Sequence, residues 1–328
     1  MLDAHNVLQS AWQTAFGTPK TPATVKLQNV SSFRLRPEFQ TRALEQLRGT
    51  LAPTHQTTLD NYSGSATFEV SDETFEDVNY WLEALFGTAS PTGTGPYVRA
   101  YAAPTTSAIT PQFMTLQWGQ ANGVFQLQDA SVASLTLSGA DNTGVQVGGS
   151  IVAGKVIQGT LAANLLDRTA VTRMSGCMAS VAIEAWAGST FTPLASSAFS
   201  WELSINSNRE YRGYLGDCTP TAYHDQKWNG QLRLSLELND STDDHLIAML
   251  GASSAILEKQ VRIKYSTGSE ASLRSMTITF AGHSMQAPEF FQNRNGVVTY
   301  DLVLDGVYNP TLANWLKIET ASETAVLA

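Results

Sequence analysis

The chain carries one sequence pattern twice, and that repetition limits its possible folds more than any single motif. The stretch "YSGSATFEVSDETFEDVNYWLEALFG", Tyr62 to Gly87, and the stretch "WNGQLRLSLELNDSTDDHLIAMLG", Trp228 to Gly251, run in one order: aromatic, small polar, glycine, alternating strand, acidic start, apolar helix, glycine. Laid over each other, Arg42 falls on Arg209 and Pro53 on Pro220 at an offset of 167. Tyr62 falls on Trp228 and Gly64 on Gly230 at 166, Gly87 on Gly251 at 164, and Gly139 on Gly282 at 143. The drop in offset is a length difference in a Pro/Gly/Thr loop, and surface loops absorb insertions at small entropic cost. The pattern therefore predicts a mainly β fold of two similar fused units, each with one α-helix. Residues 1–22 form an N-terminal helix and arm, 23–165 the first unit and 166–328 the second.

Local signals fill in each unit. "SATFEV" and "QLRLSLEL" alternate with the period of a half-buried strand. Ser71 and Asp72 are N-cap candidates for a helix over 72–86, and Asp72, Glu73, Glu76 and Asp77 complement the positive end of its dipole. Phe75, Val78, Leu82 and Leu85 give it one apolar stripe, and Gly87 suits its C-terminal end. A second helix is expected over 240–250, with Leu246, Met249 and Leu250 on one face. Leu8, Trp12, Ala15 and Phe16 recur at helical spacing, so a short helix is expected over 4–16, broken by "GTPKTP". "TASPTGTGPYVRAYAAPTTSAITP" reads as a loop, and "QFMTLQWG", "GVFQLQDASVASLTLSG", "GVQVGGSIVAGKVIQG", "QVRIKYSTG", "ASLRSMTITFAG" and "GVVTYDLVLDG" read as strands.

Chemistry finds little support. Of 328 residues 43% are hydrophobic and 15% charged, enough to build a core without disulfide staples. Cys177 and Cys218 have no metal-binding spacing and are expected as buried free thiols. A net charge of −9 argues against a basic nucleic-acid groove. "MLDAHNVLQS" lacks a signal-peptide pattern, and no apolar run approaches the ~18 residues of a membrane span. "GSIVAGKV" matches a phosphate loop only until Val156, where Ser or Thr is needed. The five histidines are scattered, and "NDSTDDH" lacks EF-hand spacing, so helix capping explains its acidity better than a cation. No enzyme, cofactor or metal is indicated. Trp118, Trp186, Trp201 and Trp228 lie in or beside strands and read as core or interface rather than a sugar-binding strip.

Two long polar excursions, at about 37–63 and 207–229, are harder to place in a compact domain. They read as arms that reach a neighbouring subunit. Arg42, Arg48, Arg209 and Arg212 would pair there with carboxylates, with apolar contact from Tyr62 and Trp228.

"AWQTAFGTPKTPATVKLQNVSSFRL", "TRALEQLRGT" and the acid-started helix ending in "WLEALFG" follow one another in an order that resembles the phage tail tube proteins of long, flexible, non-contractile tails. The resemblance implies tail-tube-like β-sandwich or barrel units, each with one flanking α-helix, in rings stacked into a hollow tube in the virion tail, assembled in the host cytoplasm without a membrane. Six units per ring imply three copies of a two-unit chain, a homotrimer with pseudo-sixfold symmetry. It also implies a tape measure protein and tail terminator or tip proteins as partners, and DNA that passes through the lumen without specific binding. Three chains at −9 carry −27, which permits a wall that repels phosphates rather than binding them. The alternatives are a carbohydrate-binding or other virion β-sandwich, such as a decoration or tail terminator protein.

Overall fold

The computed structural model describes residues 6–44, 56–120, 123–168, 171–194, 197–239, 242, 257–268, 273–284, 292–294, 296–325 and 327. Alternating apolar and polar residues make strands nearly throughout. The first half holds β1 (Val7–Trp12), β2 (Val25–Lys26), β3 (Val30–Leu44), β4 (Gln56–Val70), α1 (Val78–Phe86), β5 (Tyr97–Ala102), β6 (Met114–Gln120), β7 (Gly123–Ala140), β8 (Gln146–Ala153) and β9 (Lys155–Gln158). The second holds β10 (Ala179–Ala185), β11 (Ala198–Asn206), β12 (Glu210–Arg212), β13 (Ala222–His224), β14 (Asn229–Glu237), β15 (Leu257–Thr267), β16 (Arg274–Ser284), β17 (Gln292–Arg294), β18 (Val297–Gly306) and β19 (Leu316–Ser322).

Among the described residues every ladder is antiparallel, and the two halves pair their strands in one order. In the first half the series is β3–β4–β8–β7–β6–β1. In the second it is β11–β14–β18–β16–β15–β10. The opening ladders even share an irregularity, a bulge at Val30/Ser32 and at Ala198/Ser200. Burial runs in phase as well: Ala66, Phe68 and Val70 of β4 face the core, as do Leu232, Leu234 and Leu236 of β14. Gly139 and Gly282, aligned in sequence, do not share a rung, because Gly139 opposes Trp201 of β11 while Gly282 opposes Gly306 of β18. Among the described residues two ladders cross between the halves: β7 pairs with β11, and β5 with β19.

All nine residues of α1 are buried. Trp81 stacks on Phe68 at 3.9 Å and Tyr80 on Trp12 at 4.2 Å. Asn79 anchors α1 to the crossing strands, since its Oδ1 accepts from the Tyr101 hydroxyl at 3.1 Å and the Thr320 hydroxyl at 2.5 Å.

Four expectations are corrected. Within the 4–16 segment, Val7–Trp12 is strand β1, not helix, and 14–16 is bend and turn: Leu8 and Trp12 share a strand face as well as a helix face, and β6 and β2 pair with the strand's two edges. The first helix begins at Val78, with Asp77 as N-cap and no acid in its first turn. The backbone of Glu73 to Phe75 is bound elsewhere, with Glu73 N–H donating to Val145 O, Met174 N–H to Glu73 O and Phe75 N–H to Thr172 O. The Pro/Gly/Thr loop contains β5, whose Tyr97, Arg99 and Tyr101 alternate along a strand. Cys177 and Cys218 are exposed rather than buried. The helix expected over 240–250 lies outside the described residues, Thr242 apart.

Candidate assembly interface

One sheet runs through both halves. Its strand order is β3–β4–β8–β7–β11–β14–β18–β17, four strands from each half, joined at the β7–β11 ladder of seven residue pairs, Ser134–Ala140 against Asn206–Ser200. Strand alternation gives this ribbon two unlike faces. One face is core: Phe68, Leu135, Leu137, Val147, Leu203, Leu234 and Leu302 are all buried. The other is built of hydroxyls and amides, including Thr67, Ser134, Thr136, Ser138, Gln146, Ser150, Ser200 and Gln231, with charges interspersed. Ser134 and Ser150 hydroxyls meet across strands at 2.6 Å, and Arg233 pairs with Asp301 at 2.5 Å.

Among the described residues the ribbon ends in two open edges. β3 has a ladder only with β4, and β17 only with β18. Beside the β3 edge lies a groove of about 680 Å³, lined by Val7, Leu8, Val30, Phe33, Leu35 and Trp118 among others. Open edges bearing unpaired amides and carbonyls are templates for another strand.

The two polar excursions are more ordered than arms. The first continues the β3–β4 hairpin as far as Leu44 and from Gln56. The second folds into β12 and β13, and its Tyr211 and Tyr223 pack on Phe16 of the first half at 5.5 and 6.0 Å. They touch each other: the Tyr62 N–H donates to Cys218 O at 2.9 Å. Tyr62 is half-buried, stacks on Phe39 at 5.0 Å and donates its hydroxyl to Val156 O. Phe39, Leu59, Tyr214 and Leu215 remain exposed on these segments.

The other residues singled out in the sequence divide sharply. Arg42 is exposed and lies 3.6 Å from Asp60, and Arg212 is exposed. Arg48 lies outside the described residues. Arg209 is buried and committed within the chain. Its Nε and Nη2 donate to Asp225 at 2.6 and 2.9 Å, Nη1 to Val132 O at 2.9 Å and Nη2 to Leu85 O at 3.3 Å, at the C-terminal end of α1. Trp228 is buried too, 5.3 Å from Phe86.

The acids read as helix caps serve instead as ties. Glu76 accepts from Arg274 of β16 at 2.8 Å and from the Thr172 N–H at 2.9 Å, and Asp77 accepts from Arg168 at 2.6 Å. Burial, reinforced by the charges of Asp77 and Glu76, raises the Glu73 carboxyl to about 8. Burial also raises Glu83 to about 7, against the pull of Arg99, which lies 3.4 Å away. Arg99 further donates to Thr324 O and Ala325 O at 2.8 and 2.9 Å, so β5 holds the C-terminal segment. Alternation in "YVRAYA" could have disclosed β5; nothing in the sequence discloses the partners of Arg99 or Arg209. Among the described residues no three His, Cys, Asp or Glu side chains converge as a metal site, and no helix is long and apolar enough to cross a membrane.

Compared with known proteins, residues 4–302 match the family model described as phage tail tube protein. No curated protein matches the chain.

Proposed function

Because the chain belongs to the phage tail tube protein family, a structural family of the virion tail whose members assemble into a tube, we propose that three copies close each ring and fill six quasi-equivalent seats. The observation that carries this reading is the shared pairing order of the two halves, fused side by side in one ribbon whose ladders, among the described residues, end at β3 and β17. Each half occupies one seat, so residues 23–165, completed by β1, and residues 166–328 form successive seats around the axis. Joining ribbon to ribbon removes every open edge, which a closed barrel alone achieves.

In this arrangement the polar face of the ribbon lines the channel. Arg34, Arg36, Arg233 and Arg294 stand there among Glu38, Glu69, Glu202, Glu237, Asp301 and Asp305, over a ground of hydroxyls and amides. A wall with carboxylates in excess gains no affinity from counterion release and lets DNA slide. Rings stack through the excursions, where Phe39, Leu59, Tyr214 and Leu215 are exposed beside Arg42 and Arg212. Arg209 and Trp228 support that surface from inside. A tape measure protein within the tube, and terminator and tip proteins at its ends, are the further partners, and host cytoplasm is the place of assembly.

Electron microscopy of the purified protein tests the proposal. Rings or tubes with a central hole and threefold symmetry are expected, each ring holding three chains. Six chains per ring under true sixfold symmetry, or particles without a hole, overturn it.

A further inference from the structure

We propose that the open edge of β3 pairs antiparallel with β17 of a second copy of this chain, in the register Ser32–Arg294, Phe33–Asn293 and Arg34–Gln292. The inference rests on the ring reading above and gives its seam an address.

The register follows from ladders within one chain. On β3, Val30 faces Val70 and, past a bulge, Ser32 faces Glu69; on β11, Ala198 faces Leu236 and, past a bulge, Ser200 faces Ser235. Ser32, Phe33 and Arg34 therefore stand where Ser200, Trp201 and Glu202 stand. On β8, Val147 faces Val70, and on β18, Tyr300 faces Leu236. The next residues outward, Gln146 and Thr299, then match; Gln146 faces Ser138 and Thr299 faces Gln292. Gln292, Asn293 and Arg294 therefore stand where Ser138, Gly139 and Ala140 stand. Within the chain, Ser200 pairs with Ala140, Trp201 with Gly139 and Glu202 with Ser138. Moving that junction to the outer edges of β3 and β17 gives the proposed register.

Two observations support it independently. The faces agree: Phe33 is buried and Arg34 exposed, as Trp201 and Glu202 are, and Gln292 lies opposite Thr299, on the face of Asp301. A slip of one residue would put core side chains on the polar face. The space agrees as well. Leu8, Val30, Ser31, Ser32 and Phe33 line the groove of about 680 Å³ beside β3. Their counterparts Val181, Ala198, Phe199, Ser200 and Trp201 meet Gly139, Ala140 and Asp141 of the first half around a gap of about 40 Å³, while Ser200 and Trp201 also border a separate polar cleft of about 600 Å³ with Arg233 and Asp301. The groove beside β3 is the same seat without its occupant, and the occupant that matches is the β17 end of another copy.

Cysteine cross-linking tests the seam. In a background with Cys177→Ser and Cys218→Ser, Arg34→Cys is combined with Gln292→Cys. Residues directly opposite in antiparallel strands lie about 4.5–5.5 Å apart between Cα atoms, within disulfide range. Assembled protein is oxidised and run on a denaturing gel without reductant. A covalent series ending at three chains is expected, several-fold stronger than for the slipped control Arg34→Cys with Asn293→Cys. If the first pair fails to fold, Ser32→Cys with Arg294→Cys reads the same seam two residues along. Rings seen by microscopy with no cross-link in either register pair, or with equal cross-linking by the control, overturn the seam and leave the ring standing. A cysteine-free background that forms no rings, where the unaltered protein also forms none, overturns the ring reading itself. A ladder beyond three chains overturns closure by three copies.

Discussion

Arg42 and Arg209 align in the sequence, yet their surroundings differ in a way that sets their energetics apart. Arg209 neutralises Asp225 and satisfies two carbonyls in a site from which both side chains exclude water. Removing one partner of a buried pair leaves an uncompensated charge and costs about 3–5 kcal/mol. Arg209→Ala should therefore lower the melting temperature of the unassembled subunit by several degrees. Arg42→Ala, at an exposed pair, should change stability by about 0–1 kcal/mol, and differential scanning calorimetry distinguishes the two. Glu73 gives a pH signature. Its folded pKa of about 8 lies above its ordinary 4.5, so the folded chain holds a proton that the unfolded chain releases. That stability is fully present below about 4.5 and is lost as pH rises through about 8, with a slope of up to about 1.4 kcal/mol per pH unit. Glu73→Gln should flatten the change in denaturation midpoint between pH 5 and pH 8; an unaltered slope would show that other groups set it.

Among the elements, the ladder between β7 and β11 depends on one small residue. A Cβ at Gly139 would stand 2.4 Å from the Tyr265 hydroxyl and 2.7 Å from Trp201 Nε1, atoms already bonded to each other at 2.8 Å. The neighbours must shift, and overpacking of this kind costs about 1–3 kcal/mol. Gly139→Ala should lower the urea midpoint, and hydrogen exchange should show β7 and β11 losing protection ahead of β15 and β16. Uniform loss across the chain would argue against a local effect at the junction. These strands were legible in sequence because their apolar residues alternate: "SATFEV", "QLRLSLEL" and "GVVTYDLVLDG" all became ladders. β1 was not, since Leu8 and Trp12 fit either period and only the flanking β2 and β6 decide between them. The helix entrance was misread for a related reason. Acids before an apolar helix signal a cap by chemistry alone, whereas here Glu76 and Asp77 answer to Arg274 and Arg168, distant in the chain.

At the scale of the whole molecule, the order of elements along the chain suggested a repeated unit, and the ladders add what order alone could not: which strands within the chain meet and in what register. That the ladders of the described residues end at β3 and β17 was invisible in sequence, because an edge depends on which strands pair and not on one strand's own residues. The β7–β11 ladder has a kinetic meaning in the proposed ring. Of six seams around the axis, three are formed when a single chain folds and do not depend on protein concentration. Only three remain for encounters between chains, each of which costs translational and rotational freedom. A ring made from six single-unit chains would need five successive captures before its closing contact; here two suffice. Assembly should then nucleate with a lower order in concentration than for an unfused relative, and dilution should open a ring at three places rather than six.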